Sequence, residues 1–119
     1  MLKLYAYQKC STCRDAMKWL KQHGMSYEEI AIRVKPPTIQ ELGAALKARD
    51  GNIRALFNSS GLDYRALGLK EKLPAMSQSE ALKLLSENGN LVKRPFVIDE
   101  NKRVFLVGFK QAEWKEALG

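Results

Sequence analysis

The apolar pattern of the first 34 residues changes period twice, and this limits the possible architecture more than any other feature of the chain. Lys3-Leu4-Tyr5-Ala6-Tyr7 alternates as a short strand does. From Cys13 the spacing becomes helical, with Cys13, Ala16, Met17 and Leu20 on one stripe and His23-Gly24 as the stop. Alternation returns over Tyr27 to Val34, where Ile30, Ile32 and Val34 interleave with Glu29, Ala31 and Arg33. Strand, helix and strand in about 30 residues form a βαβ unit, with parallel strands and a right-handed crossover.

Pro36-Pro37 ends that unit, and Thr38-Ile39-Gln40-Glu41 reads as a capping box that opens a helix with Ile39, Leu42, Ala45 and Leu46 on one face. Asp50-Gly51-Asn52 breaks it. A short helix over Ile53 to Phe57, a loop at Asn58-Ser59-Ser60-Gly61 and a helical turn near Tyr64 to Leu67 follow. Ser77-Gln78-Ser79-Glu80 is a second capping box, with Ala81, Leu84 and Leu85 facing inward behind it. Sheet pattern resumes at Phe96-Val97-Ile98, turns at Asp99-Glu100-Asn101-Lys102 and returns over Val104 to Val107 as a hairpin, with a last helix over Lys110 to Leu118.

The only two cysteines stand at the first strand-to-helix turn, as Cys10-Ser11-Thr12-Cys13. A thiol at a helix N-terminus faces unpaired N–H groups and the positive end of the helix dipole, which favour a thiolate at Cys10. Cys13, one turn further in, is placed to resolve whatever Cys10 attacks. Zinc ligation needs about four ligands. His23, the only histidine, lies about 15 Å along the helix from Cys13 at roughly 1.5 Å per residue, too far to share an ion. No metal is expected, and the readings left are a redox or nucleophilic dithiol and a pair of inert buried thiols.

A βαβ unit with C-x-x-C at its first turn, completed by a hairpin and a helix, is the arrangement of the thioredoxin fold. The expected class is α/β: one domain over residues 1–119, a mixed four-stranded sheet built as βαβ then ββα, and a helical insertion over residues 36–88. Pro95 fits, because a proline just before a strand can take the cis form used beside the dithiol in this fold, although the sequence does not reveal the isomer. The residue before that proline lies near the cysteine turn. Arg94 is therefore either a solvent-facing arginine or a group that stabilises the Cys10 thiolate and orients an anionic substrate. Arg14 is read as either solvated or substrate-facing. Asn58 is either a turn residue or a secondary contact to a bound anion.

Of the 119 residues, 20 are basic and 13 acidic, giving a net charge of +7. The basic residues are scattered, with no aromatic platform between them, so a solvated surface is expected rather than direct nucleic-acid binding. No run reaches the roughly 18 apolar residues of a membrane span, and the N-terminus is too mixed for a signal peptide. The expected location is cytoplasmic, where a lone cysteine pair serves catalysis or sensing rather than permanent crosslinking. Trp19 is expected half-buried off the inward face of its helix, and Trp114 is expected to pack against the sheet.

Cys10-Ser11-Thr12-Cys13-Arg14, the Asn58-Ser59-Ser60-Gly61 loop with Tyr64 and Leu67-Gly68-Leu69, Lys93-Arg94-Pro95-Phe96-Val97-Ile98-Asp99 and Val107-Gly108-Phe109 occur here in one order. In this order they resemble the arsenate reductase and Spx family over almost the whole chain. Glutaredoxin-coupled arsenate reductases resemble it at Cys10, which would attack arsenate, and at Arg94, which would hold the oxyanion. Two further arginines of that branch align with Asn58 and Gly108, and a non-cysteine residue stands there in place of Cys13. Spx-type regulators resemble it at both cysteines and at Arg94. They use the disulfide as a switch and bind the C-terminal domain of the RNA polymerase α subunit, with Asp50-Gly51-Asn52 near the contact.

The resemblance implies a thiol–disulfide redox protein in which Cys10 attacks, Cys13 resolves, Arg94 assists and Pro95 shapes the site. It would act as a monomer without a tightly bound cofactor, reset by thioredoxin or by glutaredoxin with glutathione. A redox-sensing regulator and an arsenate reductase proper remain the alternatives.

Overall fold

A computed structural model describes residues 2–118. Strand β1 (Leu2–Ala6) is followed by helix α1 (Ser11–Gln22) and strand β2 (Tyr27–Ala31). Helices α2 (Ile39–Ala48), α3 (Leu62–Ala66), α4 (Leu69–Lys72) and α5 (Gln78–Glu87) come next, with short 3-10 turns between them. Strands β3 (Phe96–Asp99) and β4 (Val104–Val107) and helix α6 (Gln111–Leu118) complete the order. The four-stranded sheet runs β2-β1-β3-β4. β1 pairs parallel with β2 and antiparallel with β3, and β4 pairs antiparallel with β3. This is the expected mixed α/β sheet of the thioredoxin-like fold.

The period-two pattern divides the core by face. Leu2, Leu4, Ala6, Val97, Val104 and Leu106 pack with Cys13, Ala16, Trp19, Leu20 and Trp114 of α1 and α6. Tyr5, Phe96, Ile98 and Val107 face the other way, against Leu42, Ala45, Leu46, Leu69 and Leu85 from α2, α4 and α5. Strand β3 is buried along its whole length. Both capping boxes form: Thr38 and Ser77 accept from the N–H groups of Glu41 and Glu80, whose carboxylates reach back to the cap residues.

Three local expectations change. β2 stops at Ala31, because the N–H groups of Val34 and Lys35 both turn back to the Ala31 carbonyl. Ile32 is fully buried while Val34 is 84% exposed, so the alternation does not continue as strand. Ile39, at the first turn of α2, is 51% exposed rather than inward. The segment after Gly68, to which the pattern assigns no element, is helical over α4 and again over Leu73–Ala75. Trp19 is buried rather than half-buried, stacked on His23 at 3.9 Å between ring centroids and edge-on to Trp114 at 5.8 Å.

Candidate active site

Cys10 is the N-cap of α1, with extended backbone (φ −88°, ψ 115°) and its own N–H donating to the Tyr7 carbonyl at 3.0 Å. Its sulfur occupies the usual place of a capping oxygen: the Cys13 N–H donates to Cys10 Sγ at 3.3 Å. One helical turn brings the second thiol to the same spot but on the inner side of the helix. Both cysteines are free thiols, Cys10 half-buried and Cys13 fully buried. Burial is the main reason that the Cys13 thiol is pushed up to about 12, with the Cys10 sulfur adding to it. A backbone hydrogen bond at Tyr7 and the charge of Arg94 pull the other way without cancelling it. At neutral pH Cys13 is a protonated thiol.

Cys10 opens onto a cavity of about 300 Å³, which Thr12, Asn58, Lys93, Arg94, Val107, Gly108, Phe109 and Lys110 also line. Three of these residues carry positive charge, Lys93, Arg94 and Lys110, and none is acidic. The Arg94–Pro95 peptide bond is cis. The Arg94 guanidinium lies over the Tyr7 ring, 5.3 Å from its centroid, and Arg33 lies 4.8 Å from the same centroid. Tyr7 thus holds two cations beside the cysteine turn.

Backbone pairing far from the cysteines sets two walls of this cavity. Phe57 and Val92 form an isolated antiparallel bridge; the Asn58 N–H donates to the Leu91 carbonyl at 2.7 Å and the Lys93 N–H to the Leu56 carbonyl at 2.9 Å. That bridge places Asn58 and Lys93 together on the rim. On the other side, the Gly108 N–H donates to the Pro95 carbonyl at 2.9 Å, continuing the β3–β4 ladder, and the Trp114 indole N–H donates to the Gly108 carbonyl at 3.0 Å. Phe109 packs edge-on against Trp114 at 4.9 Å.

Cys10, Asn58 and Arg94 therefore share one cavity, and Cys13 sits behind the first of them. Pro95 is buried and does not line the cavity; its carbonyl holds Gly108. Arg14 is exposed and outside the lining, its guanidinium donating to the Gln8 carbonyl at 3.1 Å, so it contributes to the turn before α1 rather than to the cavity. Thr12, Lys93, Phe109 and Lys110 also line the cavity, although no sequence pattern marks them as site residues. Phe109 and Lys110 follow β4, and pairing that strand with β3 in sequence would have brought its end beside Pro95. Among the described residues no three His, Cys, Asp or Glu side chains are grouped to hold a metal ion, and no helix is long and apolar enough to cross a membrane.

The profile of the ArsC family matches residues 5–117. The chain is 45% identical over 115 residues to the YusI protein of Bacillus subtilis strain 168, itself uncharacterized, with 97% of this chain and 96% of that one covered. It is 30% identical over 118 residues to the global transcriptional regulator Spx of Enterococcus faecalis, covering 99% of this chain and 86% of the regulator. The crystal structure of an ArsC-family-related protein from Bacteroides fragilis superimposes with a TM-score of 0.89 at 40% identity, over 98% of this chain and 96% of that one.

Proposed function

We propose that this chain, which belongs to the ArsC family, is a thiol–disulfide oxidoreductase in which Cys10 attacks and Cys13 resolves. The observation that carries the reading is the asymmetry of the dithiol: Cys10 lines a cation-rimmed cavity, while Cys13 is wholly buried one turn behind it with its thiol raised to about 12. The Cys10 thiolate attacks one sulfur of a substrate disulfide, forming a mixed disulfide and releasing the other half as a thiolate, which takes up a proton. Cys13 then gives up its proton and attacks the Cys10 sulfur. The Cys10–Cys13 disulfide closes and the second substrate thiol leaves. The two electrons given to the substrate come back from the dithiol of thioredoxin, or from glutaredoxin with glutathione. Arg94 orients an anionic group of the substrate, and Asn58 completes the rim.

The test is to trap the first intermediate. Cys13→Ser, exposed to cell extract, is expected to hold its partner as a reducible mixed disulfide on Cys10, identified by mass spectrometry. The reading fails if Cys10→Ser turns over a model disulfide as fast as the parent protein.

The match to the Spx regulator over 99% of this chain supports a second reading, in which the same disulfide is a switch that governs binding to the C-terminal domain of the RNA polymerase α subunit. Redox-dependent comigration with that domain distinguishes the two. An arsenate reductase proper would show glutaredoxin-dependent arsenate turnover that Arg94→Ala abolishes.

A further inference from the structure

Gly108 has φ +78°, in the left-handed region where a side chain is strained. The space that a side chain would enter there is already taken. A Cβ on Gly108 would meet Lys93 Cε at 3.0 Å, Nζ at 3.7 Å and Cδ at 3.8 Å. The end of the Lys93 side chain is thus laid over the Gly108 backbone, and both residues line the cavity that Cys10 opens onto. The backbone beneath this lysine is fixed, since its N–H donates to the Leu56 carbonyl at 2.9 Å beside the Phe57–Val92 bridge. Arg94, the next residue, has its guanidinium over Tyr7. Consecutive residues therefore bring two cations to one small cavity whose lining includes a third, Lys110, and no carboxylate.

From this arrangement we infer that Lys93 is a substrate-selecting residue, which favours disulfides that carry a carboxylate close to the reacting sulfur over neutral or cationic ones. The inference rests on the proposed disulfide chemistry of Cys10. A glycine at position 108 is what makes room: it lets the lysine cross the strand end and present its ammonium to the cavity. An anionic group entering there meets Lys93 and Arg94 together, with no carboxylate in the lining to oppose it. The reaction balances as in the parent step. One disulfide is reduced to two thiols while Cys10 and Cys13 are oxidised to a disulfide.

Three disulfides of nearly equal size and different charge test it: bis(2-carboxyethyl) disulfide, bis(2-hydroxyethyl) disulfide and cystamine. The readout is the second-order rate at which each oxidises the reduced protein. Using the ratio of anionic to neutral rates cancels any change in the nucleophile itself. With each rate taken relative to the same disulfide's rate with free 2-mercaptoethanol, which removes differences in leaving-group acidity, the parent protein is expected to favour the carboxylate compound most and the amine least. Lys93→Met should lower the anionic-to-neutral ratio about tenfold at low salt, Lys93→Arg should retain it, and added salt should erode it in the parent protein. Lys93 is exposed, so the variants are expected to fold as the parent does, checked by circular dichroism. An unchanged ratio in Lys93→Met overturns the inference while leaving the disulfide chemistry standing. Failure of all three compounds to form the Cys10–Cys13 disulfide in the parent protein overturns the chemistry, and the inference with it.

Discussion

The Tyr5 hydroxyl donates to Glu41 Oε1 at 2.6 Å, joining the central strand to the first turn of α2 through a buried carboxylate. The same carboxylate accepts from the Thr38 N–H at 3.0 Å and pairs with Lys3 Nζ at 3.3 Å. Burial alone would raise the Glu41 carboxyl. The bonds from Tyr5 and Thr38 and the charge of Lys3 outweigh it, and the net shift is downward from 4.5.

A carboxyl lowered on folding contributes stability above its ordinary value and loses it as the pH falls through the folded one. Glu41→Gln is therefore expected to cost about 1.5–3 kcal/mol near pH 7, the range of a hydrogen bond to a charged group, and progressively less below about pH 4. Urea unfolding at pH 7 and pH 3 measures the difference. A cost that does not shrink at low pH would disprove the assignment.

Two buried groups that are raised on folding, Cys13 and Tyr5, act at the other end of the scale. The Cys13 thiol rises from 9.0 to about 12, mainly by burial, so its contribution is complete below pH 9 and lost as the pH climbs through 12. Tyr5 is raised in the same sense, from 10.0, by burial and by Glu41. Stability should hold to about pH 9 and then decline, and Cys13→Ala should delay the onset of that decline. Iodoacetamide at pH 8 should label Cys10 alone in the native protein and both cysteines after unfolding, as mass spectrometry would resolve.

Gly89 admits no side chain. A Cβ there would stand 1.8 Å from the Ile32 carbonyl oxygen and 2.6 Å from its carbon, and both are backbone atoms that cannot rotate aside. Gly89→Ala is expected to destabilise the fold by roughly 3 kcal/mol, the upper end for overpacking. Gly43→Ala, with nothing within 4 Å of the added carbon, is the control, and it should leave thermal unfolding unchanged or slightly raised. Equal midpoints for the two variants would refute the steric argument.

Arg49 Nη2 pairs with Glu113 Oε1 at 2.6 Å, tying α2 to α6 past the end of β4. Both partners are partly exposed, with side-chain exposures of 24% and 35%. Glu113→Gln should therefore cost under about 1 kcal/mol, and the loss should vanish in high salt. Thermal unfolding at two ionic strengths is the check.

What the sequence made legible were contacts a few residues long. The capping boxes at Thr38 and Ser77 join residues three apart. Cys10 was readable because a strand period gives way to a helix period around it, and Arg94 because a proline follows. The features that depart from the local pattern depend on partners distant in the chain. Ile32 leaves the strand pattern where Gly89, 57 residues later, packs against its backbone. Trp19 is buried because Trp114 and Phe109 of the last segment meet its ring. Lys93 gained a place in the site only once β3 paired with β4 and brought Gly108 beneath it.

Cys13 belongs to the same apolar cluster as Trp19 and Trp114, the only two tryptophans in the chain. Thiols and disulfides quench indole emission to different extents, so closure of the proposed Cys10–Cys13 disulfide is expected to change the intrinsic fluorescence. An emission record on the unmodified chain would then follow the proposed oxidation in real time, without a dye.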